Sequence, residues 1–202
     1  MKFSQIPVDT FQKLQLNAGV LLDDFKPNDR TIGKILGSTS GGVNFVATPT
    51  FEDYGEDIDN CPKNMLELKK LTAWEVTMAG TFKSVDATLA KDLVGAADID
   101  PKDATHIIPR NDVLKGDFKE VWWVGDYSDV NTGENAGYMA IHLKNALSTG
   151  GFSIQSNDKG KGDMAFTFTG HYSMEAQDTP PFEIYIRGGA EVPAGDQEPS
   201  IP

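Results

Sequence analysis

The residues able to do chemistry are few and scattered. Three histidines, His106, His142 and His171, sit in separate segments (THIIPR, AGYMAIHLKNAL and FTFTGHY). An imidazole can act as general base or metal ligand, but these three share no spacing of the kind a metal site uses. The run GSTSGG (37–42) invites two readings. A phosphate-binding loop needs Lys and then Ser or Thr after its last glycine, and Val43 and Asn44 stand there. A hydrolase elbow needs Ser at the centre of Gly-x-Ser-x-Gly, where Thr39 stands. The run therefore reads as a hairpin turn. The carboxylates Glu52, Asp53, Glu56, Asp57 and Asp59 could gather a hard cation. An EF-hand counted from Asp57, however, meets Pro62 at its glycine position and Leu68 at its closing glutamate. Solvated loop or contact surface is the better reading. Cys61, beside Pro62, has no His nearby in sequence and reads as a half-buried small side chain. Trp74, Trp122 and Trp123 could stack on sugars, although alternation groups Trp122 with Phe118 and Val124 as core. No nucleophile–base pair can be named. The chain is expected not to be an enzyme and to use no cofactor and no metal.

The totals narrow the class further. The 202 residues carry 30 acidic against 18 basic side chains, a formal net charge of −12. That balance repels phosphate backbones and anionic membranes, so it argues against gripping DNA but not against a surface that DNA slides past. A hydrophobic share of 39% with 24% charged residues fits a folded chain with one sizeable core. Twenty glycines and 11 prolines favour turn-rich β structure. The lone cysteine permits no intrachain disulfide and fits a reducing compartment. The start, MKFSQIPVDT, lacks a basic stretch followed by an apolar run, so no secretory signal is expected. No apolar run approaches the roughly 20 residues of a bilayer span, and no membrane association is expected.

The elements that must hold these residues are mostly strands. Residues 1–13 read as an arm. LQLNAGVLLDDF (14–25) reads as a strand broken near Ala18-Gly19, and a second strand runs through Val43, Phe45 and Ala47. The acidic loop covers 51–64. Residues 65–83 put Trp74, Val76, Met78 and Phe82 on one face and Glu75, Thr77, Ala79, Thr81 and Lys83 on the other. Leu89, Ala90, Leu93, Val94 and Ala97 recur at helical spacing, which predicts a helix over about 85–97 capped by Ser84 or Asp86. Pro109 confines THIIPR to a sheet edge. DFKEVWWVGDYS (117–128) is apolar on both sides and reads as a central strand, with the helix a candidate cover for one face. AGYMAIHLKNAL (136–147) could be strand or helix, and the alternation of Met139, Ile141 and Leu143 favours strand at its start. Residues 151–174 read as a hairpin turning at 158–162, FEIYI (182–186) closes the sheet, and 188–202 read as a loose tail.

Within that hairpin, GDMAFTFTGHYSM (162–174) alternates with few slips. Phe166, Phe168, Tyr172 and Met174 fall on one side; Thr167, Thr169, His171 and Ser173 fall on the other, with no charge until the ends. VTMAGTF (76–82) echoes FTFTGHY (166–172) at Thr77/Thr167 and Gly80/Gly170, which suggests two strands of one sheet with the same orientation. The expected fold is mainly β: a β-sandwich or open barrel with one flanking α-helix, formed by residues 14–187.

Several segments, in order, carry a family resemblance: NAGVLLDDF, ILGSTSGGVNF, PTFEDYGEDIDN, LKGDFKEVWWVGDYSD and the closing PFEIYI. Over about residues 14–187 the chain resembles the major tail proteins, or tail tube subunits, of long-tailed phages and prophages of Gram-positive bacteria. The resemblance implies a β-sandwich with one flanking helix, assembled into hexameric rings that stack into a hollow DNA-conducting tube. It implies a place in the virion tail, with assembly in the host cytoplasm. Its implied partners are further copies of the chain, tape measure and terminator proteins, and DNA as passing cargo only. In such a tube the smooth polar strand face would look onto the bore, which places Glu75, Thr77, Thr81, Thr167, Thr169 and His171 toward the lumen; Lys83 would then pair with a neighbour's acid. Phe51, Tyr54, Asp57 and Asp59 are the candidate contacts between subunits and rings. The alternative is a β-sandwich binding module, an adhesin or carbohydrate-binding domain.

Overall fold

The computed structural model describes residues 6–128 and 136–189. Strands β1 (Gln15–Leu22), β2 (Phe25–Lys26), β3 (Thr31–Ile32), β4 (Thr39–Asp53) and β5 (Lys69–Phe82) precede the helix α1 (Ala87–Val94). Strands β6 (Ala97–Asp100), β7 (Asp103–Pro109), β8 (Lys119–Tyr127), β9 (Tyr138–Ser148), β10 (Met164–Thr169) and β11 (Phe182–Arg187) follow. The protein is mainly β, with one α-helix among the described residues. No helix among them is long and apolar enough to cross a membrane.

All pairings are antiparallel. A seven-stranded sheet runs β1-β8-β9-β10-β5-β4, with β11 also on β9. The long β9 makes the corner: its first half pairs with β8 and β11, and its last residues, Leu147 and Ser148, pair with β10. The sheet thereby curls on itself. Phe182 of β11 meets both Phe45 of β4 and Trp74 of β5, at 5.8 and 5.2 Å between ring centroids, across the interior. The main core fills that interior with Leu21, Val76, Met78, Phe82, Val121, Trp123, Leu143, Phe166 and Phe168, and Leu89 and Leu93 of α1 pack into it. Burying such a set is the main force holding the sheet curled.

A second, smaller core lies on the outer side of β8. Leu22, Phe25, Trp122, Tyr138 and Ala140 pack together there, with Phe25 edge-on to Trp122 and Tyr138. The central strand is thus covered on both faces, as its sequence predicts, but the cover on the second face comes from the β2–β3 turn; the helix packs into the main core.

Several boundaries differ from the sequence reading, each for a local reason. The helix is Ala87–Val94, shorter than the expected 85–97: Asp86 caps its start by accepting from Leu89 N at 2.7 Å, and Gly95, at φ 87°, ends it. GSTSGG is not a turn. Thr39 and Ser40 already pair with Phe82 and Thr81, and Gly41 and Gly42 form a bulge at φ 78° and 80°. Turn and bulge use the same positive-φ glycine, so composition does not separate them. Strand β4 continues to Asp53, so the acidic loop is 54–68 rather than 51–64. The break in β1 appears where expected, with Asn17 and Gly19 at positive φ and a register shift between Leu16 and Val20. AGYMAIHLKNAL resolves as strand β9. Of the expected 151–174 hairpin, the Gln155–Asp163 bridge and β10 form. Residues 6–13 of the expected arm are described and carry a 3-10 turn at Thr10–Lys13; 1–5 and 190–202 of the expected arm and tail lie outside the described residues.

Replacing the helix cap should be measurable. Asp86→Ala leaves the Leu89 amide without its partner and should cost about 1 kcal/mol, read as a lower urea midpoint with unchanged slope.

Candidate functional site

Two surfaces collect the residues singled out by sequence. The first is the outer face of β4, β5 and β10. Thr77 lies opposite Thr169, Ala79 opposite Thr167 and Thr81 opposite Ala165; on the other side Val46, Asn44 and Ser40 face Thr77, Ala79 and Thr81. Partners directly opposite in a ladder share a face, so these side chains form one flat patch. Glu75, opposite Thr48, is the one charge on it without an ion pair among the described residues. Lys83, at one end, forms an ion pair with Asp163 of the same chain rather than with a neighbour's acid. The echo between 76–82 and 166–172 is therefore real in space, with a correction. The two strands are immediate neighbours and share a face, but they run in opposite directions, pairing Met78 with Phe168 and Gly80 with Phe166.

His171 does not join that patch. Strand β10 ends at Thr169, and the next residues cross toward β9: His171 Nδ1 lies 3.2 Å from Asn145 O, and its ring meets Phe118 edge-on at 5.3 Å. The alternation continues in sequence past the point where the ladder stops. For the same reason Tyr172 and Met174 leave the apolar face. Met174 is 90% exposed, and the Tyr172 hydroxyl accepts from Trp74 N at 2.9 Å.

The second surface is the tip of the β4–β5 hairpin, which overruns the core. Phe51 and Tyr54 are each 53% exposed, and Leu66 is 86% exposed. Ile58, Met65 and Leu71 add to this apolar set. Asp53 organises the turn by accepting from Gly55 N and Asn64 N at 2.9 and 2.8 Å, which holds its carboxyl below the ordinary value. Asp57 and Asp59 lie exposed in the loop beyond. Among the described residues no group of three or more His, Cys, Asp or Glu is arranged to hold a metal ion. Cys61 is half-buried, its Sγ 3.4 Å from Met65 Sδ. Of the tryptophans, Trp122 and Trp123 are buried.

Two further arrangements were invisible at the level of sequence spacing. On the outer side of the β8–β9–β11 ladder, His142 stacks flat on Trp122 at 3.8 Å between centroids. Its Nε2 lies 2.5 Å from Glu120, and its Nδ1 lies 4.0 Å from Glu183, which also pairs with Lys144 and accepts from Tyr185. His142 holds the Glu120 carboxyl below its usual range, and Lys144 does the same for Glu183. Three strands contribute, so only the pairing register reveals the cluster. Near α1, Arg110 grips the buried Asp117 with contacts of 2.6 and 2.8 Å, and Leu114 N donates to the same carboxylate. Burial alone would raise Asp117; those partners outweigh it and keep the carboxyl low. His106 sits apart, 3.4 Å from Asp100. Each histidine thus has its own neighbours, and no two come together.

The lowered carboxylates set a sign for pH. Folding holds Glu120, Glu183 and Asp117 below their unfolded values, so the native state binds fewer protons there. Their stabilisation is complete above the unfolded carboxylate range and is lost as pH falls through the folded values. His142→Phe keeps a ring on Trp122 but removes the main partner of Glu120. The acid unfolding midpoint, followed by tryptophan fluorescence, should move to higher pH in this variant.

No protein-family model matches the chain, and no curated protein matches it.

Proposed function

We propose that this chain is a structural subunit of a tail tube, similar to the major tail proteins of long-tailed phages, and not an enzyme. Copies join into stacked rings, hexameric by the family resemblance, around a bore that passes DNA. The observation that carries the reading is the flat Thr/Ser/Ala/Asn face of β4, β5 and β10, with Glu75 its one charge without an ion pair among the described residues, beside an open strand border. DNA carries about one negative charge per 1.7 Å of axis, so a cationic lining would hold it. Hydroxyls and a sparse acid let it pass. Within a narrow bore the repulsion from acids acts over about 10 Å at 0.1 M salt.

The open border is β4. No strand of the described residues pairs with its outer edge, and from Thr39 to Asp53 it carries no Lys or Arg. Its defences are Pro49, the Gly41-Gly42 bulge, a second register shift between Thr50 and Phe51, and the acids Glu52 and Asp53 at its far end; Val43 to Thr48 carry none of these. Strand β11 likewise pairs only with β9, and Ile184 and Ile186 are exposed beside it. Long bare edges with apolar flanks suit a protein that joins its own copies. The exposed hairpin tip supplies anchors for the next ring.

Negative-stain microscopy of the concentrated full-length protein tests this. Rods or stacked rings with a central hole are expected; a uniformly monomeric sample at every concentration would refute the proposal.

A further inference from the structure

The chain has three arginines, Arg30, Arg110 and Arg187, against 30 acidic side chains. Arg110 is met by Asp98, Asp112 and Asp117 at 2.8, 3.9 and 2.6 Å. The other two are treated differently. They come together on the outer side of the β8–β9–β11 ladder, and neither forms an ion pair among the described residues.

Tyr138 is the floor of that place. Its ring is buried in the smaller core, and its hydroxyl donates to Pro27 O at 2.6 Å. Arg187 lies opposite Tyr138 in the ladder, with its guanidinium 6.0 Å from the ring centroid; its Nη2 donates to Asn28 Oδ1 at 3.2 Å. Arg30 brings a second guanidinium to 5.9 Å from the same centroid. It does so from the turn between β2 and β3 with its backbone at φ 57°, a region that side-chain-bearing residues seldom enter. Its Nη1 is closed off from solvent and has no acceptor. Lys26, whose carbonyl accepts from Arg30 N at 2.8 Å, adds a third cation without an ion pair among the described residues. The acids beside them are engaged. Asp29 accepts from Thr31 N at 3.2 Å, and Asp126, opposite Tyr138 on β8, accepts from Asn17 Nδ2.

Two guanidiniums around one ring repel each other, and the attraction of an aromatic face offsets that only modestly. The chain supplies no carboxylate to complete the arrangement. We propose that Arg30, Arg187 and Lys26 form a binding site for a phosphoryl group, as the free ion or a small phosphomonoester. Guanidinium forks match phosphate oxygens in pairs, and three cations favour a dianion over a single carboxylate. The ring beneath holds both forks in place before the ligand arrives. The site lies away from the polar face of β4, β5 and β10, and it stands whether or not copies of the chain assemble.

Equilibrium dialysis of the full-length protein against radiolabelled inorganic phosphate, at a fixed ionic strength of about 0.1 M, tests this in either state of assembly. One phosphate bound per chain is expected. Arg30→Gln and Arg187→Gln should each weaken it about tenfold or more, the cost of a charge-assisted contact, whereas Lys102→Gln, an exposed lysine elsewhere, should leave it unchanged. Arg187 is exposed at the end of an edge strand, so its variant decides the matter alone if Arg30→Gln does not fold. Sulfate should displace the label and acetate at the same concentration should not. Phenyl phosphate binding more tightly than phosphate names an ester as the natural form, and weaker binding names the free ion; both uphold the site. The absence of saturable binding overturns the proposal, and so does binding that survives in Arg187→Gln. Acetate competing as well as sulfate overturns the phosphoryl assignment.

Discussion

Phe51→Asp combined with Tyr54→Asp should abolish assembly and leave the fold intact. Both side chains stand half out of the β4–β5 tip, beyond the last residues that the core contacts, so no core packing is lost. Interface anchors of this type cost about 2 kcal/mol or more each when truncated. Two of them, about 4 kcal/mol together, weaken one contact roughly 1,000-fold. Every contact in a stack repeats that loss, and the added carboxylates join Asp53, Glu56, Asp57 and Asp59 in repelling a neighbour's copy of the same loop. Sedimentation should show loss of the heavy species at concentrations where the parent assembles, with unchanged circular dichroism. Rods of normal length from the double variant would remove the hairpin tip from the interface.

The largest stability effect should come from Phe166→Ala. Phe166 is buried against Phe82 at 4.4 Å and Phe168 at 5.5 Å between centroids. Its ring also lies over Gly80, where a Cβ would come within 2.9 Å of it. The ring therefore fills the space that glycine leaves in the neighbouring strand. Removing it should cost about 3–5 kcal/mol, a large part of the roughly 5–15 kcal/mol that holds a domain together. The reciprocal change, Gly80→Val, pushes the ring out of a filled core and should cost about 1–3 kcal/mol. Urea titrations of the two variants, ranked in that order, check the pairing of β5 with β10. Strict additivity in the Phe166→Ala, Gly80→Val double variant would mean that the two residues do not share a contact.

That pairing also shows which parts of the structure the sequence discloses. Alternation alone places Val76, Met78 and Phe82 on one face of β5, and Phe166 and Phe168 on one face of β10, because a half-buried strand writes its burial at every second residue. Helix α1 is legible from the spacing of Leu89 and Leu93 and from its cap Asp86, but its expected span overran Gly95 into the start of β6. What stays hidden depends on register. Phe118 is expected beside Trp122, but the shift between Lys119 and Val121 turns it, with Val121, to a pocket beside α1. His171 continues a pattern whose ladder has already stopped at Thr169. Glu120, His142 and Glu183 come from three strands, and no spacing along one chain segment links them. The flat polar patch was legible strand by strand from β5 and β10; the contribution of β4 was not, because its first residues read as a turn.

The central claim is that copies of this chain enclose a bore lined by the hydroxyl-rich face of β4, β5 and β10. A cryo-EM map of the assembled protein tests it most directly. The account predicts Thr77, Thr81, Thr167 and Thr169 on the inner wall, with Glu75 as its acid and the hairpin tip touching the next ring. A wall formed instead by the outer face of β8, or one lined with lysines and arginines, would contradict it.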